Sequence, residues 1–355
     1  MLKKCLIFFE FFFSDKKLII LHDDFSLEQK TGMKTMNRLK IVFNVGIFLV
    51  IIGFVWYMAA SISRENFPVD GSAQETSTPF SSWYRQVESF KLPEEVNCFE
   101  LYGDKLYISA GQTVYIFDTD GRKLANFPVG KDVRDITVDG EEIYLLYPTR
   151  VAVYSTDGQP TRQWEACSNL SDYCSLAVAG KAVFVTDAEN KNICKYTTEG
   201  DFVKFIQSPA GFIIPSYSFD IDCWNDTVYC VNSGRHSVET YTLNGDFIAS
   251  FGSPGSEAGF FAGCCNPAYI SFTSGGALIT SEKGNPRVSC FGRNGNFNGV
   301  LLDSKTLGGG NKAYEVKAIN NKLFAAGKNK VTVFQCDKAS ASTCSGCAAN
   351  CPLRR

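Results

Sequence analysis

Two hydrophobic patterns divide this chain. Residues 41–60, IVFNVGIFLVIIGFVWYMAA, form one apolar run without a charge. A run of about twenty such residues crosses the hydrocarbon layer as a helix. After residue 82 the pattern changes to short runs of apolar, β-branched and aromatic residues, each closed by Gly, Asn or Asp. Short runs of that composition between turn residues predict strands.

The strand pattern repeats. A β-branched residue followed three positions later by an aromatic runs into a turn dipeptide. It appears at Val114–Phe117 before Asp120-Gly121 and at Val151–Tyr154 before Asp157-Gly158. It recurs at Ile193–Tyr196 before Glu199-Gly200, Val238–Tyr241 before Asn244-Gly245 and Val288–Phe291 before Asn294-Gly295. A sixth copy, Val331–Phe334, lacks the glycine. Asp-Gly and Asn-Gly supply the positive φ angles of a two-residue hairpin. Two further apolar strands precede each copy; in the first these are Phe99–Leu101 and Leu106–Ser109. A fourth follows the turn, as at Phe202–Phe205 and Phe247–Phe251. Four strands per unit at a period of about 40 residues predict propeller blades.

The letters also predict how the ring closes. No fourth strand follows Phe334, but Tyr84–Phe90 has that character and precedes the first copy. Borrowed by the last blade, it would seal the sheet edge that both chain ends leave open. The expected fold is all-β: a six-bladed β-propeller over residues 83–337. The loops between second and third strands carry acidic, Asn and basic residues at Asp187–Asn190, Asn232–Arg235 and Ser281–Arg287. In these features the chain resembles NHL-repeat six-bladed β-propellers of the membrane-anchored bacterial type. That family includes scaffolds, ligand binders, RNA-binding modules and a few hydrolases or lyases, so the resemblance implies the fold more sharply than the activity.

Flanking charge sets the expected topology. Lys34, Arg38 and Lys40 precede the apolar run, and Arg64 alone follows closely. Positive-inside bias predicts residues 1–40 in the cytoplasm and the propeller outside the cell membrane, in the periplasm or its equivalent. A cleaved signal peptide ending near Ala59-Ala60 is the alternative to this signal anchor. A start at Met33 or Met36 would make residues 1–32 dispensable. Residues 61–82, rich in Ser, Pro and Gly, read as a flexible linker, and 338–355 as a Cys-rich tail.

Composition narrows the chemistry. The 355 residues carry a net charge of −2, too weak for nucleic acid as an expected partner. Only His22 and His236 are present, which excludes a His-rich zinc site and weighs against an NHL-type hydrolase or lyase. A calcium site from Asp135, Asp187, Glu189, Asp220 and Asp222 stays open. The expected activity is binding or scaffolding of a protein or small molecule on the face carrying the second-to-third strand loops. That face collects Arg134, Asp135, Arg235, His236, Cys264, Cys265, Asn266, Glu282, Lys283 and Arg287. There, Cys264 and Cys265 suit a ligand, metal or redox partner, and Glu282 with Arg287 either a ligand or a local ion pair.

Fourteen cysteines are the other unusual figure. Outside the cytoplasm Cys167 with Cys174, and Cys223 with Cys230, are disulfide candidates. The tail places Cys336, Cys344, Cys347 and Cys351 before Pro352. The spacing resembles part of a ferredoxin iron–sulfur run, lacking one ligand at Ala341. A cluster, a four-thiolate zinc site or two disulfides are the alternatives. A redox-associated protein using Cys264, Cys265 and this tail is the second functional reading.

Overall fold

The computed structural model describes residues 84–336, together with the single positions 47 and 53. The chain divides into two units, 1–74 and 75–355. Among the described residues no helix is long and apolar enough to cross a membrane. The apolar run at 41–60, the linker, and the tail cysteines Cys344, Cys347 and Cys351 lie outside the described residues, apart from positions 47 and 53 in the run.

Among the described residues twenty-four strands form six four-stranded antiparallel sheets. Strand β1 (Tyr84–Lys91) comes first. Blade one follows as β2 (Val96–Tyr102), β3 (Lys105–Ala110), β4 (Thr113–Asp118) and β5 (Lys123–Pro128). Blade two is β6 (Asp135–Asp139), β7 (Glu142–Tyr147), β8 (Arg150–Ser155) and β9 (Pro160–Glu165). Blade three is β10 (Tyr173–Ala179), β11 (Ala182–Asp187), β12 (Asn192–Thr197) and β13 (Phe202–Ile206). Blade four is β14 (Ile221–Trp224), β15 (Thr227–Asn232), β16 (Ser237–Thr242) and β17 (Phe247–Phe251). Blade five is β18 (Tyr269–Phe272), β19 (Leu278–Glu282), β20 (Arg287–Phe291) and β21 (Phe297–Leu302). Blade six is β22 (Val316–Ile319), β23 (Lys322–Ala326) and β24 (Lys330–Cys336), and its fourth strand is β1. The borrowed strand runs antiparallel from Tyr84 opposite Cys336 to Lys91 opposite Lys330, with one bulge at Val87.

Burial follows position in the blade. Second and third strands are sandwiched between neighbouring blades, so both of their faces need apolar residues; Ala182–Asp187 is buried at every position. The fourth strand of blade two is exposed and polar, as a blunted edge should be, whereas Phe297–Leu302 of blade five is buried over its last four residues. The inner strands touch in sequence, β2, β6, β10, β14, β18, β22 and back to β2, and so line a central channel.

The turns differ from the two-residue hairpins that the dipeptides suggested. Each is a three-residue loop: Gly158 N donates to Ser155 O at 2.9 Å and Ser155 N to Gln159 O at 2.9 Å, with Gly158 at φ +85°. A register shift sits beside it at Val153/Tyr154. This is a turn closed by a glycine bulge, which adds twist to the outer hairpin. The same hydrogen bonds close the loops at Gly121, Gly200, Gly245 and Gly295. A second reason for glycine is packing against the preceding blade. A Cβ on Gly158 would lie 2.5 Å from the Phe127 ring, and one on Gly200 2.7 Å from Trp164.

Candidate functional site

The inner strands place six side chains at one equivalent level of the channel: Cys98, Asp135, Ser175, Asp220, Tyr269 and Glu315. The alternation has a physical basis. Each acid stands in an even-numbered blade and accepts a backbone hydrogen bond from the next. Leu176 N donates to Asp135 at 2.8 Å, Ile270 N to Asp220 at 2.6 Å, and Phe99 N to Glu315 at 3.1 Å. An edge strand bordering a channel has free amides, and these carboxylates satisfy three of them. Two residues deeper, Lys317 donates to Glu100 at 2.9 Å, joining blade six to blade one, and Asp222 completes the group.

Five carboxylates therefore face one lysine. The Ser175 hydroxyl lies 2.6 Å from Asp135 Oδ2 and 2.7 Å from Asp220 Oδ1, and it also accepts from Ile221 N at 3.3 Å. It has one proton to give, so two ionised carboxylates cannot both be satisfied there. Burial, then the Asp220 charge, pushes Asp135 up to about 7, against the pull of Lys317. Burial likewise raises Asp220, and it brings Asp222 up to about 7. Glu315 is raised well above the carboxylate range by burial. Burial alone would lower Lys317, but the surrounding carboxylates outweigh it and raise its pKa. Lys317 and Glu100 form an ion pair at 2.9 Å, and the Ser175 hydroxyl lies between Asp135 and Asp220.

Two cavities open beside this belt. One of about 560 Å³ is lined by Glu95, Asn97, Tyr269, Lys312, Glu315 and Lys328, among others. Its rim includes Gly308, Gly309 and Gly310, all at positive φ with open space where side chains would project. A second, of about 460 Å³, is lined by Arg134, Asp172, Cys174 and Tyr217.

Asp135 belongs to the channel, and the other residues gathered on one face by the sequence separate into four groups. Arg134 pairs with Asp172 and donates to Tyr173 O at 2.6 Å. Arg235 is exposed and donates to Gly211 O at 2.8 Å and to Ala210 O; His236 follows it in the left-handed region at φ +56°. Glu282 and Arg287 are opposite each other in β19 and β20, so their side chains share a face. They form a buried ion pair at 2.6 Å, and Arg287 also binds Phe260 O at 2.5 Å and Ser256 O at 3.2 Å. This pair fastens the 256–262 loop. Cys264, Cys265, Asn266 and Lys283 form the fourth group. The Asn266 amide donates to Ala262 O at 2.7 Å and Lys283 O at 2.9 Å, and its carbonyl accepts from Lys283 N at 2.9 Å.

The disulfide candidates do not bridge in this structure. Among the described residues Cys98, Cys167, Cys174, Cys194, Cys223, Cys230, Cys264 and Cys265 carry free thiols. Trp224 opposes Thr227, which sets Cys223 opposite Val228 and Cys230 opposite Ile221. The two thiols are thus diagonal, and diagonal Cβ atoms lie too far apart to bridge. The Cys167 Sγ lies 3.4 Å from Cys194 Sγ, and its amide donates to the Tyr196 hydroxyl at 3.2 Å. Cys336 is buried at the end of β24. No group of three or more His, Cys, Asp or Glu among the described residues is placed to hold a metal. The calcium set does not assemble: Asp187 instead accepts from Asp172 N at 3.1 Å and from the Asn190 amide at 2.8 Å, while Asp135 and Asp220 face Ser175.

No family model matches the chain, and no curated protein matches it. Among solved structures it is similar to a catalytically inactive virginiamycin B lyase from Staphylococcus aureus with quinupristin. The TM-score is 0.50 at 17% identity, covering 69% of this chain and 83% of that one. A streptogramin B lyase gives 0.50 at 13% identity, covering 72% and 99%. A Bacteroides thetaiotaomicron protein of unknown function gives 0.51 at 14%, covering 71% and 72%. At such identity the likeness shows the fold alone: the chain carries a six-bladed β-propeller.

Proposed function

We propose that the protein is a membrane-anchored, extracytoplasmic binding module of NHL type, which holds a ligand or partner at its channel mouth. The observation that carries the reading is the cavity beside Tyr269 and Glu315. Its rim is bare glycine backbone, and its wall carries both charge signs, Lys312 and Lys328 against Glu95, with the Glu315 carboxyl as a further polar group. Such a wall suits a polar occupant with cationic and anionic groups. The uncharged run at 41–60 supports the anchor, and the basic residues before it support the orientation. A lyase reading is not adopted. Only the fold is shared, and His236 sits between the second and third strands of blade four, not on an inner strand.

A photoreactive residue replacing Lys312 in the full chain, in its native membrane, tests the site. It is expected to label an occupant that the same probe at Gly140, in a first-to-second strand turn on the opposite face, does not. Lys328→Glu should reduce that labelling. Equal labelling from both faces, or none from Lys312, overturns the binding site. A reporter fused after Lys338 that behaves as cytoplasmic overturns the topology separately.

A further inference from the structure

We propose that Cys264 and Cys265 are a reversible dithiol–disulfide site that exchanges with a disulfide- or dithiol-bearing partner. The two sulfurs lie 3.0 Å apart. A closure of about 1 Å brings them to the S–S bonding distance of about 2.05 Å. Cys264 is exposed and Cys265 is buried, so the pair has one accessible sulfur and one sheltered sulfur. The loop is held on both sides. Asn266 clamps it to Ala262 and to the backbone of Lys283, and the Lys283 ammonium is fixed by the Ser216 hydroxyl at 2.5 Å and the Ser218 hydroxyl at 3.1 Å.

The surroundings divide the roles between the sulfurs. Burial alone would raise Cys265, but hydrogen bonds from Cys264, Ser216 and Lys283, with the lysine charge, outweigh it and hold this thiol below its usual range. Hydrogen bonding to Cys265, and then its charge, raise Cys264. Cys265 is accordingly the better leaving group. In the oxidised form the neighbouring cysteines close a ring across Cα atoms only about 3.8 Å apart, shorter than the usual disulfide span, which favours ready reduction.

The exchange balances as follows. A partner thiolate attacks Cys264 Sγ; the ring S–S bond breaks, and its electron pair leaves on Cys265 Sγ beside Lys283. A second partner thiolate attacks the partner sulfur of the mixed disulfide. Cys264 leaves as a thiolate and takes a proton from water. The partner has lost two electrons and gained a disulfide, and the cysteine pair is reduced. A different disulfide-bearing partner reoxidises the pair by the reverse steps.

The sequence supplies a clean assay, since the tryptic peptide His236–Lys283 contains these two cysteines and no other. The full chain is equilibrated with mixtures of reduced and oxidised glutathione, alkylated and digested. The peptide is expected to pass in one two-electron step from doubly alkylated to two hydrogens lighter and unalkylated. Lys283→Gln should raise the pH at which the reduced pair is alkylated. It should also slow ring reduction by about threefold for each unit by which the thiol rises. Two alkylated cysteines at every ratio, or a separate glutathione on each, overturns the proposal. An unchanged alkylation profile in Lys283→Gln removes the lysine from it. Neither outcome depends on what occupies the channel mouth.

Discussion

At Asp135 burial favours the neutral form of a carboxyl in the native fold. Its pKa of about 7, and that of Asp222, are raised above the unfolded value near 4. Between these values the folded chain binds more protons than the unfolded chain, so stability falls as pH rises from about 4 to about 7. Each group contributes at most about 1.4 kcal/mol per pH unit. Thermal unfolding is therefore expected at higher temperature at pH 5 than at pH 8. Asp135→Asn and Asp222→Asn should each flatten the slope, since an amide needs no proton. A melting temperature that rises across the same window would contradict the raised carboxyls of Asp135 and Asp222. The loss of stability by ion pairs such as Glu142 with Arg162, whose carboxyl is held low by the guanidinium, acts in the opposite sense, but only near pH 4.

At the scale of elements, the repeat was legible because every blade needs the same things: two doubly buried middle strands and a sharp outer turn. The acid belt was hidden by its own distribution. Asp135, Asp220 and Glu315 each stand immediately before a buried inner-strand residue, Ile136, Ile221 and Val316, but they recur only in alternate blades. Scattered by two periods, they looked like solvated loop charges; aligned by blade, they mark the channel. Glu100, Ser175 and Lys317 gave still less signal, because nothing in a lone polar residue says that it faces a channel. The turn glycines carried a message that was only half read. Gly158 needs its positive φ, and it also receives the Phe127 ring of the preceding blade. Gly158→Ala should then cost about 2–4 kcal/mol, adding a clash to the backbone strain. Gly140 is a control: it has φ +61° and nothing within 4 Å of a built Cβ, so Gly140→Ala should cost about 1 kcal/mol. Equal losses in denaturant unfolding would show that φ alone fixes these glycines.

For the whole molecule, closure is the property on which the channel and its rim depend. Blade six is completed only by β1, whose backbone pairs along the length of β24 while most of its side chains stay exposed. The side chains of Tyr84–Lys91 thus add little core; the strand's contribution is to cover the edge of β24 and to tie the first described residues to the last. Excising residues 84–91 from the full chain should leave five blades intact and bare the backbone row from Lys330 to Cys336. An uncovered strand of that kind pairs with other chains. Self-association is therefore expected, with lowered unfolding cooperativity, because the ring no longer transmits packing from blade six to blade one. The synthetic peptide YRQVESFK, added in trans, should restore a monomer with its original unfolding midpoint, whereas a peptide with the same residues shuffled should not. Specific rescue follows from register: Glu88 must meet Val333 and Phe90 must meet Val331, with Val87 left to the bulge. A monomeric, fully cooperative excised chain would mean that blade-to-blade packing alone closes the ring, and that β1 serves only to lead the chain into it.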